Sequence, residues 1–381
     1  MSPIRITSVR IHHMEGRLSE RFGWSLNWTW RRTVDLIEVT TDAGLTGWGE
    51  GAWGGDLLRR NPELVIGRSP FELAGIYDSL RAPTANQRRT GPPLGSGLDI
   101  ALWDLAGRAL DTPVCRLLGR VYRDRVEAYC TALYRKDWPD LAEGLSQEAI
   151  EWKARGYRAI KMKIGYDPVT DLRIVRAVRD TVGDELLLGV DSNCAYDSST
   201  AIALARQLEP FNLMWWEEPL LADDLDGYDR LARATSIPIA AGESENADWL
   251  ATHYVIPQRV AILQPDLEWV GLTGFRELNR FCWLRHMRLV PHNWGTALRT
   301  AATLHAMATC PPLTEALTPP RILFEFDRAE HPFRDAILRQ RLDIDSEAQV
   351  AVPLGPGLGV DVDTDAVARF RTGLTVIESI R

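Results

Sequence analysis

The chain is poor in cysteine, has no excess of basic charge and contains no long apolar run. Its five cysteines, at positions 115, 130, 194, 282 and 310, include no CxxC pair. An odd, unpatterned set in a chain of this size predicts reduced thiols and a cytoplasmic setting. Acidic side chains outnumber basic ones by 52 to 44, for a net charge of −8. That balance argues against a nucleic-acid partner, which calls for a basic patch or a high pI. No run of about 18 apolar residues is available to cross a bilayer. The opening stretch MSPIRITSVRIHH lacks the apolar core of a signal peptide. The expectation is a soluble protein without a membrane partner.

What is present is ordinary globular material. At 381 residues, 45% hydrophobic and 25% charged, the chain can bury one large core or two of usual size. Residues 1–125 read as a mixed α+β unit. RITSVRIHHM and TVDLIEVTTDAGLTGWGEG alternate like antiparallel strands, the second with an Asp42-Ala43-Gly44 turn signal, and GSGLDIALWDLAGRAL has helical spacing. From about 126 to 345 the pattern changes to short apolar runs separated by helix-like stretches. The runs are VEAYCTAL, AIKMKIG, LLLGVDSN, MWWEEP, IPIAAGES, VAILQPD, RLVPHNW and ILFEFD. Strands alternating with helices predict a parallel sheet. Periodicity alone leaves an open doubly wound sheet possible, and the count of eight favours a closed (β/α)-barrel. Residues 346–381, beginning with the Pro/Gly-rich VPLGPGLGVDVD, are expected to leave the barrel and return to the N-terminal unit.

Polar residues recur where these strands end: Lys161 and Lys163, Asp191 and Asn193, Glu217 and Glu218, Glu243, Asp266, His292 and Glu325. From Lys163 the steps are 28, 26, 26, 23, 26 and 33 residues, about one βα unit each. Any one of these acids has a plain reading as a helix N-cap, and His292 alone could be a satisfied core histidine. Seven consecutive strand ends with the same anomaly are better explained by a barrel, whose C-terminal strand ends converge on one mouth. Asp191, Glu217 and Glu243 then make an oxygen-only site that prefers Mg²⁺, with Mn²⁺ as the alternative. Strand alternation places Lys161 and Lys163 on the same face. A lysine beside a second ammonium and a metal ion should have its pKa driven down towards working pH, making it a base. The Asp266/His292 pair supplies a second candidate base.

KMKIG, VDSN, WWEEP, AGES, LQPD, PHNWGT and FEFD, in that order, together with GLDIALWDLAGRALDTPVCRLLGR and GPGLGVDVD, make the chain resemble the enolase superfamily and, within it, the mandelate racemase-like subgroup. The resemblance implies a modified TIM barrel under an N-terminal α+β capping domain. It implies that Asp191, Glu217 and Glu243 hold one Mg²⁺ per site and that Lys163 is the base on one face of the substrate α-carbon. Lys161 would be its electrostatic partner and a contact for the substrate carboxylate, and His292 with Asp266 the dyad on the other face. Glu325 would hydrogen-bond the enolate oxygen, and Asn193 would lie near the base and metal. The implied reaction is abstraction of the proton α to a carboxylate through an enediolate stabilised by the metal. Loss of water from an aldonate or aldarate to a 2-keto-3-deoxy acid is the leading outcome. Racemisation or epimerisation of a 2-hydroxy acid between Lys163 and His292 is the alternative.

The specificity loop is expected at 15–32, EGRLSERFGWSLNWTWRR. Trp24, Trp28, Trp30, Arg31 and Arg32 there either pack the cap or contact a polyhydroxylated acid, with Trp24 and Arg31 the candidate substrate contacts. Gly271-Leu272 departs from the family's double glycine after the sixth strand, leaving the shape of that loop open. The resemblance also implies a homo-oligomer, from dimer to octamer.

Overall fold

The computed structural model describes residues 4–81, 95–314, 316 and 322–378. The N-terminal unit is an antiparallel sheet of β1 (Ile6–Trp24), β2 (Asn27–Thr41) and β3 (Thr46–Glu50). Alternation along β1 and β2 puts Val9, Ile11, Ile37 and Val39 on one face. They pack there against Leu98, Ala101, Leu102 and Leu105 of helix Ser96–Ala109. The two glycines of TGWGE permit this contact. A Cβ at Gly47 would lie 2.4 Å from the Ala101 carbonyl oxygen, and one at Gly49 2.1 Å from that of Gly97. The helix therefore rests directly on the backbone of β3.

Eight parallel strands follow: β4 (Arg125–Thr131), β5 (Ala159–Lys163), β6 (Leu187–Asp191), β7 (Leu213–Glu217), β8 (Ile239–Ala241), β9 (Ile262–Leu263), β10 (Arg288–Leu289) and β11 (Leu323–Asp327). They correspond to the eight runs read from the sequence. Ladders run without a break from β10 back to β4, and β11 pairs with β4 in register, Glu325 opposite Tyr129 and Asp327 opposite Thr131. Among the described residues no ladder joins β10 to β11, so the barrel has one seam. Outward-facing Ile160, Met162, Phe324 and Phe326 join the core beneath the surrounding helices. Inward-facing Tyr129, Ala159, Trp215, Ile262 and Leu323 fill the barrel. A short strand, β12 (Gln349–Ala351), pairs antiparallel with β4, and β13 (Arg371–Glu378) pairs antiparallel with β1. No helix among the described residues is long and apolar enough to cross a membrane.

The joint between cap and barrel is built around Asp99 of the cap helix. Its carboxylate accepts from the Thr273 amide at 2.8 Å and the Thr273 hydroxyl at 2.5 Å. Thr273 belongs to helix Leu267–Leu284, which breaks at Gly271 with φ 64. A Cβ on Gly271 would stand 2.6 Å from Asp99 Oδ2. The single glycine thus supplies both the left-handed turn and the close approach, which settles the shape of the loop after β9. Burial pushes the Asp99 carboxyl up to about 7 from 3.8, against the hydrogen bonds from Thr273. A raised folded value means the native state keeps its proton where the unfolded chain has lost it. This contribution to stability is full below 3.8 and is lost as pH rises through about 7. We expect Asp99→Asn to flatten this dependence. In urea titrations the wild type should lose midpoint between about pH 5 and pH 8, and the variant much less.

Candidate active site

The C-terminal strand ends bring the predicted residues together. Lys163, Asp191 and Glu217 are consecutive cross-strand partners on β5, β6 and β7. Glu243 follows two residues after β8. Asp191, Glu217 and Glu243 each offer an oxygen within 4.8 Å of the others. Lys163 Nζ donates to Asp191 at 2.5 Å and to Asn193 Oδ1 at 3.0 Å, and Asn193 Nδ2 reaches Glu243 at 3.4 Å. Lys161 is wholly buried. It pairs with Glu217, stands 2.9 Å from Glu325 and lies 3.4 Å from Asp191. Across the trio, His292 Nδ1 meets Asp266 at 2.5 Å, while Nε2 points to Glu243 at 3.4 Å and Glu325 at 3.8 Å.

Asp266 satisfies both of its readings at once. One oxygen caps the helix that follows, accepting from the Glu268 amide at 2.7 Å, and the other holds His292. Glu218, the second acid of EEP, takes no part in the trio. It is buried beside the Cys194 thiol at 3.5 Å.

Electrostatics follow from so much charge in so little water. Burial opposes the ammonium of Lys161, but Glu217 and Glu325 outweigh it and raise its pKa well above the ordinary value. Burial alone would raise Asp191, yet Lys163 and then Lys161 hold it below the usual carboxylate range. Burial likewise opposes the charge on His292, but Glu243, Glu325 and Asp266 raise it to about 10. The expectation of a depressed Lys163 pKa is not met by the chain's own groups. Burial and Lys161 do lower it, but Asp191 raises it further, and the net direction is upward. The neighbouring ammonium is outweighed by a carboxylate in direct contact. Glu325 is also held to about 2, against burial, by Lys161, His292, the Thr131 hydroxyl and the Asn293 amide. It is therefore an acceptor here. Donation to an enolate oxygen, as the resemblance implies, requires Glu325 first to take up a proton.

The trio fits a hard divalent cation. All three donors are carboxylates, and Glu243 Oε2 is buried without a hydrogen bond. Oxygen-only donors in this number select Mg²⁺ or a similar ion over zinc.

The segment 15–32 is a β-hairpin rather than a loop, turning at Ser25-Leu26 with Ser25 at φ 46. Its tip is tied to the loop after β4 by paired backbone bonds between Gly23 and Arg135, at 2.7 and 2.9 Å. Trp24 packs edge-on against Trp294, two residues past His292, with ring centroids 5.3 Å apart. Arg31 is not brought to the site. Its guanidinium is exposed and pairs with Glu15 at 3.1 Å. Its neighbour Arg32 points the other way and is buried, bonding the Trp294 carbonyl at 2.7 Å and Asp327 at 3.0 Å.

Several residues of the site lie outside the set of strand-end residues read from the sequence. Gln264 donates to Glu217 at 2.6 Å, Trp215 to the same oxygen at 3.1 Å, and Thr131 to Glu325. Buried Arg299 lies 3.6 Å from Asp266 and 3.5 Å from Glu50 at the end of β3. It links the dyad to the cap. Alternation counted back from each strand end would have found Gln264 and Trp215. Arg299 lies on a helix remote in sequence from its partners, where no periodicity marks it.

Known proteins bear out this architecture. Residues 24–119 match the Mandelate racemase / muconate lactonizing enzyme, N-terminal domain family, and residues 144–366 match the family described as Enolase C-terminal domain-like. The D-galactarolactone cycloisomerase of Agrobacterium fabrum is 35% identical over 377 residues, covering 97% of this chain and 99% of that protein. The D-xylonate dehydratase of Haloferax volcanii is 30% identical over 302 residues, 72% of each chain. The crystal structure of the 3,6-anhydro-D-galactonate cycloisomerase from Zobellia galactanivorans superposes with a TM-score of 0.84 at 31% identity, covering 97% of this chain and all of that one. With both domains matched in order and the trio, lysine pair and dyad assembled at one mouth, the chain belongs to the enolase superfamily, in its mandelate racemase / muconate lactonizing enzyme family.

Proposed function

We propose that the protein removes the proton α to the carboxylate of an acid sugar and expels the β-oxygen as water, leaving a 2-keto-3-deoxy acid. The observation that carries this reading is the placement of two different proton-transfer groups on either flank of one carboxylate trio. Lys163 touches Asp191, and His292 faces Glu243. Asp191, Glu217 and Glu243 would hold Mg²⁺, which when bound neutralises charge developing on the substrate carboxylate. Lys163 as the free amine takes the Cα proton. Lys161 offers the substrate carboxylate a fixed positive charge. His292, oriented through Nδ1 by Asp266, gives its Nε2 proton to the departing hydroxyl. The C–O bond breaks as water forms, and the resulting enol tautomerises to the ketone. Dehydratases of acid sugars among the relatives support this reading.

A second reading is favoured by the full-length match to two cycloisomerases. In it the same elimination expels a ring oxygen and opens a cyclic acid sugar.

Aldonates, aldarates and their lactones incubated with the protein and Mg²⁺ should release a 2-keto-3-deoxy acid from at least one open-chain acid. EDTA should stop turnover, and added Mg²⁺ should restore it. Turnover confined to cyclic substrates would replace dehydration by ring opening. Solvent deuterium at Cα without elimination would point to the racemase or epimerase instead.

A further inference from the structure

Asp327 lies on β11 two residues beyond Glu325, on the same inward face and about 7 Å further out along the strand. One of its oxygens, Oδ2, accepts from two guanidinium groups, Arg32 at 3.0 Å and Arg334 at 2.5 Å. The other accepts from the Ala329 amide at 2.9 Å. Arg32 is 3% exposed and Arg334 6%. The Arg32 guanidinium lies over the Trp294 indole, 3.5 Å from its centroid. Arg32 Nη1, Arg334 Nε and Trp294 Nε1 are buried without hydrogen-bond partners, as are both ring nitrogens of His331. Burial, then Arg32 and Arg334, hold the His331 pKa far below its ordinary value, so this wall carries positive potential with a neutral imidazole beside it.

Two buried cations sharing one carboxylate leave a positive charge uncompensated, which is costly unless an anion joins them. A hairpin anchor needs only the Arg32–Asp327 pair. Arg334 also ties down the loop after β11 through the Ala329 carbonyl at 2.7 Å, but neither contact accounts for the second positive charge or for the donors left idle.

The geometry points to an anion subsite here: Arg32 and Arg334 hold the distal carboxylate of the substrate, so the preferred acid sugar is a dicarboxylate. This inference rests on the function proposed above. It places the reacting carboxylate beside Lys161 and the second one pleat further out, at the spacing of a short polyhydroxylated diacid. Planar guanidinium groups suit this recognition because they bind carboxylate by paired donors.

Binding is best measured in Lys163→Ala protein with Mg²⁺, by calorimetry, using matched hexarates and hexonates of several configurations. At least one hexarate should bind about tenfold or more tightly than its hexonate. Arg32→Gln and Arg334→Gln should each erase that preference while leaving hexonate binding within a few fold. Arg32→Lys should keep part of it. Arg334 is outside the hairpin, so its variant reads the subsite even where Arg32→Gln unseats the hairpin. Equal binding of diacid and monoacid in every pair overturns the proposal, as does a preference that survives both glutamine substitutions. A wild type that binds hexarates selectively but neither exchanges the α-proton nor eliminates water sinks the proposed function and leaves the subsite standing.

Discussion

Lys163→Ala is expected to abolish exchange of the substrate α-proton on one face, with a loss of about 10³-fold or more in turnover, while Mg²⁺ affinity stays within a few fold. Lys163 Nζ touches Asp191 at 2.5 Å and Asn193 at 3.0 Å and makes no other polar contact within 3.5 Å among the described residues. Removing the amine takes away the proposed base on that flank without touching the oxygens of the trio. Asp191 loses a competing ammonium and keeps Lys161 at 3.4 Å, so its capacity to hold a cation is preserved. Only the free amine can accept a proton, so wild-type exchange should rise with pH as Lys163 deprotonates, and the variant should lose that limb. Deuterium wash-in followed by NMR, beside a metal titration, reads both quantities. Exchange that persists at a tenth or more of the wild-type rate would assign the base elsewhere.

The barrel and its mouth were legible because two periodicities coincide. Alternation fixes which residues of AIKMK face inward, and the βα repeat fixes where the next inward residue comes. Lys161, Lys163, Asp191, Glu217, Glu243, Asp266, His292 and Glu325 are found by those two rules alone. What they miss has a physical reason in each case. Arg31 and Arg32 are adjacent on a strand and so face opposite ways, and composition cannot say which one looks inward. The structure turns Arg32 to Asp327 and leaves Arg31 with Glu15 in solvent. The hairpin form of 15–32 depends on a two-residue turn at Ser25-Leu26 that lacks the usual glycine or asparagine signal. The direction of the Lys163 pKa depends on a 2.5 Å contact, and distances of that kind are not written in spacing. The double role of Asp266 shows the converse. A helix cap and the partner that holds a histidine can be the same carboxylate, so the plain reading of a strand-end acid does not compete with the proposed functional one.

His292→Asn separates the two eliminations that share this site. Hydroxide is a poor leaving group, so expelling a β-hydroxyl requires a proton, and the group placed to give one is His292, held by Asp266 at 2.5 Å. A ring carboxylate leaves as a stable anion and needs no such help. If the reaction is dehydration, His292→Asn should cut 2-keto-3-deoxy acid formation by about 10³-fold, while Lys163 still exchanges the α-proton with solvent. Asp266→Asn should fall between, because it keeps the imidazole but loses the charge that fixes its tautomer and supports its protonated form. Full turnover of a lactone by both wild type and His292→Asn, with no turnover of any open acid by the wild type, would identify ring opening as the native reaction. Loss of exchange together with elimination would make His292 rather than Lys163 the base. In that case Lys163→Ala would retain exchange, so the two variants measured side by side assign the proton to one flank or the other.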